Sequence, residues 1–411
     1  MKRRDFLKVA GAASLVGCAT PLPAKARVVV IGGGYGGATA AKYIRMWDPS
    51  IDVVLVEREA SFISCPISNL VLAGYTSMDE ISRGYDGLRR HGVTVVRDEV
   101  SAIDASRKSV RLANGADIAY QRLIVSPGVD FDFSEMEGYE SAMQAGTVLH
   151  AWKAGPQTVA LRRQLEQMSD GGVYLLSVPM APYRCPPGPY ERASMVAAYF
   201  KQAKPRSKVL VLDANPDVTS KAGLFKRAWS DLYPGILEFR GNVKVVGVER
   251  GAVRTDFETI RGDVLNVVPP HRAGDIAMKS GLITTNNRWC DVDWRTMESK
   301  AVKGVHLLGD ATLSASGMPK SASMANNHAK IAAAAVVELL NGRAPQPMKI
   351  INTCYSFVSQ KEAIRVSSVH EWDGTTLQPV KGAGGVSAAR SEAEGTYAWN
   401  WARTIWADSL A

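Results

Sequence analysis

The sequence predicts an α/β fold: two parallel-sheet units in succession, followed by a C-terminal α+β domain. Three observations carry that expectation. Apolar strand-like runs alternate with helical stretches through most of the 411 residues. The order strand, turn, helix, strand occurs twice, around residues 27–57 and again around 173–213. From about Met348 the pattern changes to alternating residues, then a glycine-rich segment, then an aromatic helical end.

The first 26 residues read as an address rather than as structure. "MKRRDFLKVAGAASLVGCATPLPAKA" has a basic start, an apolar stretch from Val9 to Cys18, and Ala-Lys-Ala before Arg27. Arg3-Arg4 followed by Asp-Phe-Leu-Lys resembles a twin-arginine export signal, a route that carries folded, cofactor-loaded proteins. The mature chain is therefore expected in the periplasm, where disulfides persist. Leu15-Val16-Gly17-Cys18 also fits a lipoprotein cleavage box, so lipid anchoring through Cys18 is the alternative. Lys2, Arg3, Arg4, Lys8 and Lys25 against Asp5 account for +4 of the net charge of +9. The remainder holds no Lys/Arg block and no basic stripe interleaved with aromatics, which argues against a nucleic-acid partner. No later run approaches the ~18 apolar residues of a membrane span.

The first unit is expected over 27–150 and, after an interruption, over 271–345. Arg27–Ile31 is a buried-strand run, Gly32, Gly34 and Gly37 form G-x-G-x-x-G, and Ala38–Met46 is a helix with small residues for the sheet. "DVVLVERE" supplies a second strand ending at Glu57, where an acid accepts ribose hydroxyls. Strand, glycine turn, helix, strand and acid in this order make a Rossmann-like, dinucleotide-binding unit, with the helix N-terminus facing a pyrophosphate. "YQRLIVSPGVDF" (Tyr120–Phe131) then leads a strand into Ser126-Pro127-Gly128. "KGVHLLGDAT" (Lys303–Thr312) ends a strand at Gly309-Asp310, before a helix around Ala322–Leu340. These two segments resemble signatures of flavoproteins with two dinucleotide domains. By that resemblance the cofactor is FAD, and Asp310 meets its ribitol and pyrophosphate region.

The second Rossmann-like unit, 151–270, has strand Val173–Val178, helix Glu191–Lys201 and "KVLVLDANP" ending at Asp213. Its turn lacks the glycine pattern. Four prolines between Pro182 and Pro189 fix φ and delete amide donors where a phosphate would need them, so no NAD is expected here. Within that turn lies Cys185. The last domain, 346–411, is expected to pair "INTCYSFVSQKEAIRVSSVHEW" as sheet, follow it with a Gly-rich loop, and end in the helix "YAWNWARTIWADSL". Trp399, Trp401 and Trp406 either pack that helix down or face a protein partner.

Apart from Cys18 the chain has Cys65, Cys185, Cys290 and Cys354, with no C-x-x-C and only scattered histidines, so no metal site is read. Without C-x-x-C-H it cannot itself carry a covalent c-type haem. Cys290 reads as a buried free thiol.

The segments "VVVIGGGYGGATAAKYI", "SCPISN", "HAWKAGPQT", "RCPPGPYERAS", "VPPHRAGDIA", "HLLGDAT", "MPKSAS" and "NTCYS" span nearly the whole chain. Together they resemble the flavoprotein subunit of flavocytochrome c sulfide dehydrogenase, within the sulfide:quinone oxidoreductase and disulfide-reductase superfamily. The resemblance implies that Cys65 joins the flavin through a thioether. It also implies that Cys185 and Cys354 form a redox-active disulfide above the flavin ring, and it puts Lys320 of "MPKSAS" among the cofactor-binding residues. A disulfide is an electrophile that HS⁻ can attack, giving a persulfide on one cysteine and a thiolate on the other. Attack on either sulfur is open at this point. Cys185 precedes a helix whose positive end favours a thiolate. Glu191 either relays protons or is a solvent-facing helix residue. A c-type cytochrome subunit, carrying the haem, is the expected electron acceptor. The alternatives are a sulfide:quinone oxidoreductase, a non-catalytic sulfur-carrying flavoprotein, and an NADH-linked reductase.

Overall fold

The computed structural model describes residues 24–411, so nearly all of the predicted leader, Cys18 included, lies outside the described residues. The α/β class and its two Rossmann-like sheets are as predicted. The larger sheet has seven strands, and its centre is parallel: Val305–Leu307, Arg122–Val125, Ala26–Ile31, Ile51–Glu57 and Thr94–Arg97. Val28, Val29, Val30, Leu55, Leu123 and Ile124 are fully buried, as expected of parallel strands covered on both faces. Two short strands, Val292–Asp293 and Glu298–Ser299, extend the edge in antiparallel sense. The helices Tyr35–Trp47 and Ala322–Leu340 pack against one another, with alanines at Ala40, Ala41, Ala329 and Ala333 permitting close approach.

The second sheet is parallel throughout, in the order Val148–Leu149, Val264–Val267, Val173–Val178, Lys208–Asp213 and Leu237–Arg240. Its crossover helix runs Gly188–Ala203, beginning earlier than expected. Pro189 sits in the first turn, where a missing N–H breaks no intrahelical bond. The first crossover helix likewise begins earlier, at Tyr35, immediately after Gly34.

The C-terminal domain is a three-stranded antiparallel sheet, Ile350–Phe357, Ala363–Trp372 and Leu377–Val386, backed by the helix Glu392–Leu410. The third strand corrects the expectation of a Gly-rich loop. Gly384 and Gly385 pair with Ser368 and Ser367, and a Cβ on Gly384 would stand 2.4 Å from the Ser367 carbonyl oxygen. Glycine is used there because two backbones approach closely. Ser391 caps the last helix by accepting the Glu394 N–H at 3.1 Å. The helix reaches back to the first unit, where Tyr43 donates to Asp408 at 2.6 Å and Trp406 donates its indole N–H to Tyr35 at 3.0 Å. Trp406 is buried, Trp399 packs edge-on against Phe357, and Trp401 lies beside Tyr355, so the tryptophans pack the helix down. No helix among the described residues is long and apolar enough to cross a membrane.

Candidate active site

Where the two parallel sheets and the C-terminal sheet meet, a cavity of about 750 Å³ opens. Its wall carries Glu57, Gly34, Ser126, Gly128, Gly309 and Asp310 from the first unit. Cys65, Cys185, Glu191 and Cys354 lie on the same wall. The predicted site residues therefore come together from every part of the chain. Gly32, Gly37, Pro127 and Lys320 stand one layer behind.

The glycine turn shows why those positions lack side chains. A Cβ on Gly37 would lie 1.8 Å from the Gly32 carbonyl oxygen, and one on Gly32, where φ is +92°, would lie 2.4 Å from that of Ser126. Gly34 and Gly128 instead face open space, so a Cβ there would protrude into room the fold keeps clear. Glu57 accepts the Gly33 N–H at 2.6 Å and the Glu59 N–H at 2.8 Å, which fixes its carboxylate at the end of its strand. Asp310 is buried with one carboxylate oxygen lacking any partner, and burial raises its pKa against the opposing pull of Arg184 and Lys320. Such an orphaned acceptor on a cavity wall calls for a donor from a bound group. A long cleft, an open glycine cradle at a helix N-terminus, an acid at the second strand and an unpartnered carboxylate fit FAD.

Lys320 is not on that wall. Its ammonium is turned to the carbonyls of Asp310 and Thr312 and lies 3.7 Å above the Trp289 ring, and burial pulls its pKa down to about 7. Its backbone has a second task, because the Lys320 carbonyl accepts the Cys185 N–H at 2.8 Å. The flavin-side segment thus pins the proline turn.

That turn is held at every available donor. His271 Nδ1 accepts the Arg184 N–H at 2.8 Å, and the Arg184 carbonyl accepts the Trp152 indole N–H at 3.1 Å. Cys185 itself has φ +60°, a left-handed conformation that non-glycine residues adopt only where their surroundings impose it. Its carbonyl accepts the Gly188 N–H at 2.8 Å, immediately before the helix. The expected lowering of its pKa by the helix end is outweighed. Burial, then Cys354 and Glu191, push the Cys185 thiol up, against Arg184 and Lys221.

Cys354 projects from Ile350–Phe357, its thiol 3.4 Å from Asn352 Oδ1. Burial raises its pKa too, but here Lys221 is the leading opposing influence. Cys185 and Cys354 are both free thiols and face one cavity, so the structure presents them unbonded. Cys65 is free as well, its sulfur 3.8 Å from the Trp152 carbonyl oxygen, and Cys290 is free and buried, its thiol pushed up to about 12 by burial.

Glu191 is not a solvent-facing residue. Every residue from Gly188 to Ala198 is buried, because this helix is covered on all sides. Its two carboxylate oxygens accept the Asn69 side-chain N–H at 2.8 Å and the Phe357 N–H at 2.7 Å. Arg192 holds Asn69 in turn at 3.1 Å. Burial nevertheless raises the Glu191 pKa above the ordinary carboxylate range, as a proton acceptor beside two thiols requires. Asn69 and Lys221 are the residues that sequence reasoning missed. Asn69 lay within the quoted "SCPISN", whereas Lys221 belongs to no motif. Among the described residues no group of His, Cys, Asp and Glu could hold a metal ion.

Comparison with known proteins agrees with this geometry. Residues 26–164 match the pyridine nucleotide-disulphide oxidoreductase family. Residues 158–269 match the central part of the sulfide dehydrogenase (flavocytochrome c) flavoprotein chain, and residues 346–410 the flavin-binding part of flavocytochrome c sulphide dehydrogenase. The chain is 62% identical over 45 residues to the flavocytochrome c sulfide dehydrogenase flavoprotein chain of Chlorobaculum thiosulfatiphilum, covering 11% of this chain and 94% of that sequence. It is 26% identical over 308 residues to mitochondrial sulfide:quinone oxidoreductase of Mus musculus, covering 69% of this chain and 65% of that protein. The crystal structure of sulfide:quinone oxidoreductase from Aquifex aeolicus superposes with a TM-score of 0.75 at 18% identity, over 93% of this chain and 91% of that one. The chain belongs to the family of the flavocytochrome c sulfide dehydrogenase flavoprotein chain, within the pyridine nucleotide-disulphide oxidoreductases.

Proposed function

We propose that this chain oxidises sulfide at a Cys185–Cys354 redox disulfide beside FAD and passes the electrons to a c-type cytochrome subunit. The observation that carries the reading is the convergence of Cys185, Cys354 and the buried Glu191 on the cavity whose glycine cradle and orphaned Asp310 suit the cofactor. When bound, FAD supplies a two-electron acceptor able to release electrons singly. The protein's own part is to hold the disulfide in reach of HS⁻, to exclude water behind Trp152 and Phe357, and to take up the substrate proton on Glu191. Cys65, on the same wall, is the residue proposed to tether the flavin covalently.

The second turn supports a reductant other than a pyridine nucleotide. Asp213, where a nucleotide ribose would be held, accepts the Tyr190 hydroxyl at 2.7 Å and the Asn215 side chain at 2.7 Å. Asn215 in turn accepts the Ala181 N–H at 3.0 Å. The protein's own groups fill the cleft.

Anaerobic sulfide should bleach the flavin of the purified protein, NADH should not, and turnover should follow cytochrome c. The second reading, with quinone as acceptor, rests on the sulfide:quinone oxidoreductase relatives, and faster turnover with a soluble quinone would select it. The twin-arginine signal completes the proposal with a periplasmic location, which the N-terminus of the mature protein tests.

A further inference from the structure

Lys221 presents a buried positive charge without a resident counter-ion. Its side chain is 7% exposed, and no carboxylate among the described residues forms an ion pair with it. The ammonium instead donates to Ser356 Oγ at 2.9 Å and to the Cys354 carbonyl oxygen at 3.4 Å, both on the strand that carries Cys354. The residue is fixed at φ +56°, immediately before the helix Ala222–Leu232, so the side chain is delivered from a constrained backbone. Burying an unpaired cation is costly. A fold that keeps one beside a redox pair has placed charge where an opposite charge will develop only during reaction.

We propose that Lys221 is the positioning residue that receives the Cys354 thiolate when the pair is opened, so that the incoming sulfur is left on Cys185. This rests on the sulfide-oxidising reading above and settles the polarity that reading left open. In the step, HS⁻ attacks Cys185 Sγ and a sulfur–sulfur bond forms between them. The Cys185–Cys354 bond breaks and its electron pair passes to Cys354 Sγ. The hydrogen of HS⁻ stays on the terminal sulfur of the Cys185 persulfide. Sulfide is oxidised to the sulfane level as the disulfide is reduced, and no other reagent is needed.

The surroundings of the two sulfurs differ in the required sense. Lys221 is the foremost charge opposing the upward effect of burial on Cys354, with Glu191 acting the other way. At Cys185 the neighbours Cys354 and Glu191 outweigh Arg184 and Lys221. Burial pulls Lys221 down to about 8, while Cys354, Glu191, Cys185 and Glu394 hold it up, so it is still cationic at neutral pH.

The test uses the flavin-loaded full chain as wild type, Lys221→Met and Lys221→Arg. After anaerobic reduction with dithiothreitol, each thiol is alkylated with iodoacetamide across a pH series and followed by peptide mass spectrometry. Cys354 should titrate below Cys185. Lys221→Met should raise the Cys354 midpoint by about 1–3 pH units, and Lys221→Arg should restore most of the difference. In parallel, one equivalent of sulfide added to the oxidised protein should place the extra sulfur on Cys185 in wild type and on both cysteines in Lys221→Met. Extra sulfur on Cys354 in wild type, or a Cys354 midpoint at or above that of Cys185, overturns the proposal without recourse to any variant. An unchanged Cys354 midpoint in Lys221→Met overturns it as well. If sulfide adds to neither cysteine while the Cys354 midpoint follows Lys221, the counter-ion assignment holds and the sulfide reading fails.

Discussion

The two parallel sheets carry equivalent strand–turn–helix crossovers, and the turns have opposite chemistry. In the first, Gly32–Gly37 gives up side chains so that backbone can approach a bound anion, and Gly34 opens onto the cavity. In the second, Pro179–Gly188 gives up amide donors and gains a thiol, with Cys185 forced to φ +60°. Both turns rest on the N-terminus of a long helix, Tyr35–Trp47 in one and Gly188–Ala203 in the other. The comparison teaches that topology sets where a site lies, while turn composition decides whether it holds a phosphate or a sulfur.

The contrast breaks most sharply at the thiols. Cys185→Ser or Cys354→Ser should slow sulfide-dependent flavin bleaching on the order of 10³-fold or more while leaving flavin content intact, as stopped-flow absorbance would show. Next comes Glu191→Gln, expected to cost about 10²-fold in kcat/KM. Its pH profile is the sharper signature. Burial raises the Glu191 pKa, so the ionised base is lost as pH falls through a value above the ordinary carboxylate range. The wild type should show that acid limb and the glutamine variant should lack it. At the glycine turn, Gly37→Ala forces a Cβ to 1.8 Å from a carbonyl oxygen. It should cost about 1–3 kcal/mol of stability together with flavin occupancy, read by thermal melting and the flavin-to-protein absorbance ratio. The smallest effect belongs to Tyr190→Phe. Losing its bond to the buried Asp213 should cost about 1 kcal/mol, and the variant should still show no NADH-dependent flavin reduction.

How far the chain declared all this depends on the range of the signal. The first turn was legible because strand, glycines, helix and Glu57 are close in sequence and each has one physical reason. Cys65, Cys185 and Cys354 come from three separate regions, and only resemblance to a family brought them to one cavity. Glu191 was open between two roles because a helix buried on every side shows no polar face by which to orient it. Lys221 carried no signal at all. A single lysine between Ser220 and Ala222 reads as solvated surface, and its burial follows from tertiary packing alone. The strand Leu377–Val386 was hidden for a different reason: its glycines serve a close backbone approach and imitate a loop.

The central claim is that Cys185 and Cys354 act as a redox pair at the flavin cavity. Its most direct test is disulfide mapping by peptide mass spectrometry on the unreduced holoprotein, before and after anaerobic sulfide. The account predicts a Cys185–Cys354 linked peptide beforehand and, afterwards, an opened pair carrying one added sulfur atom. Two free thiols in the oxidised protein, with the flavin still bleaching on sulfide, would contradict it.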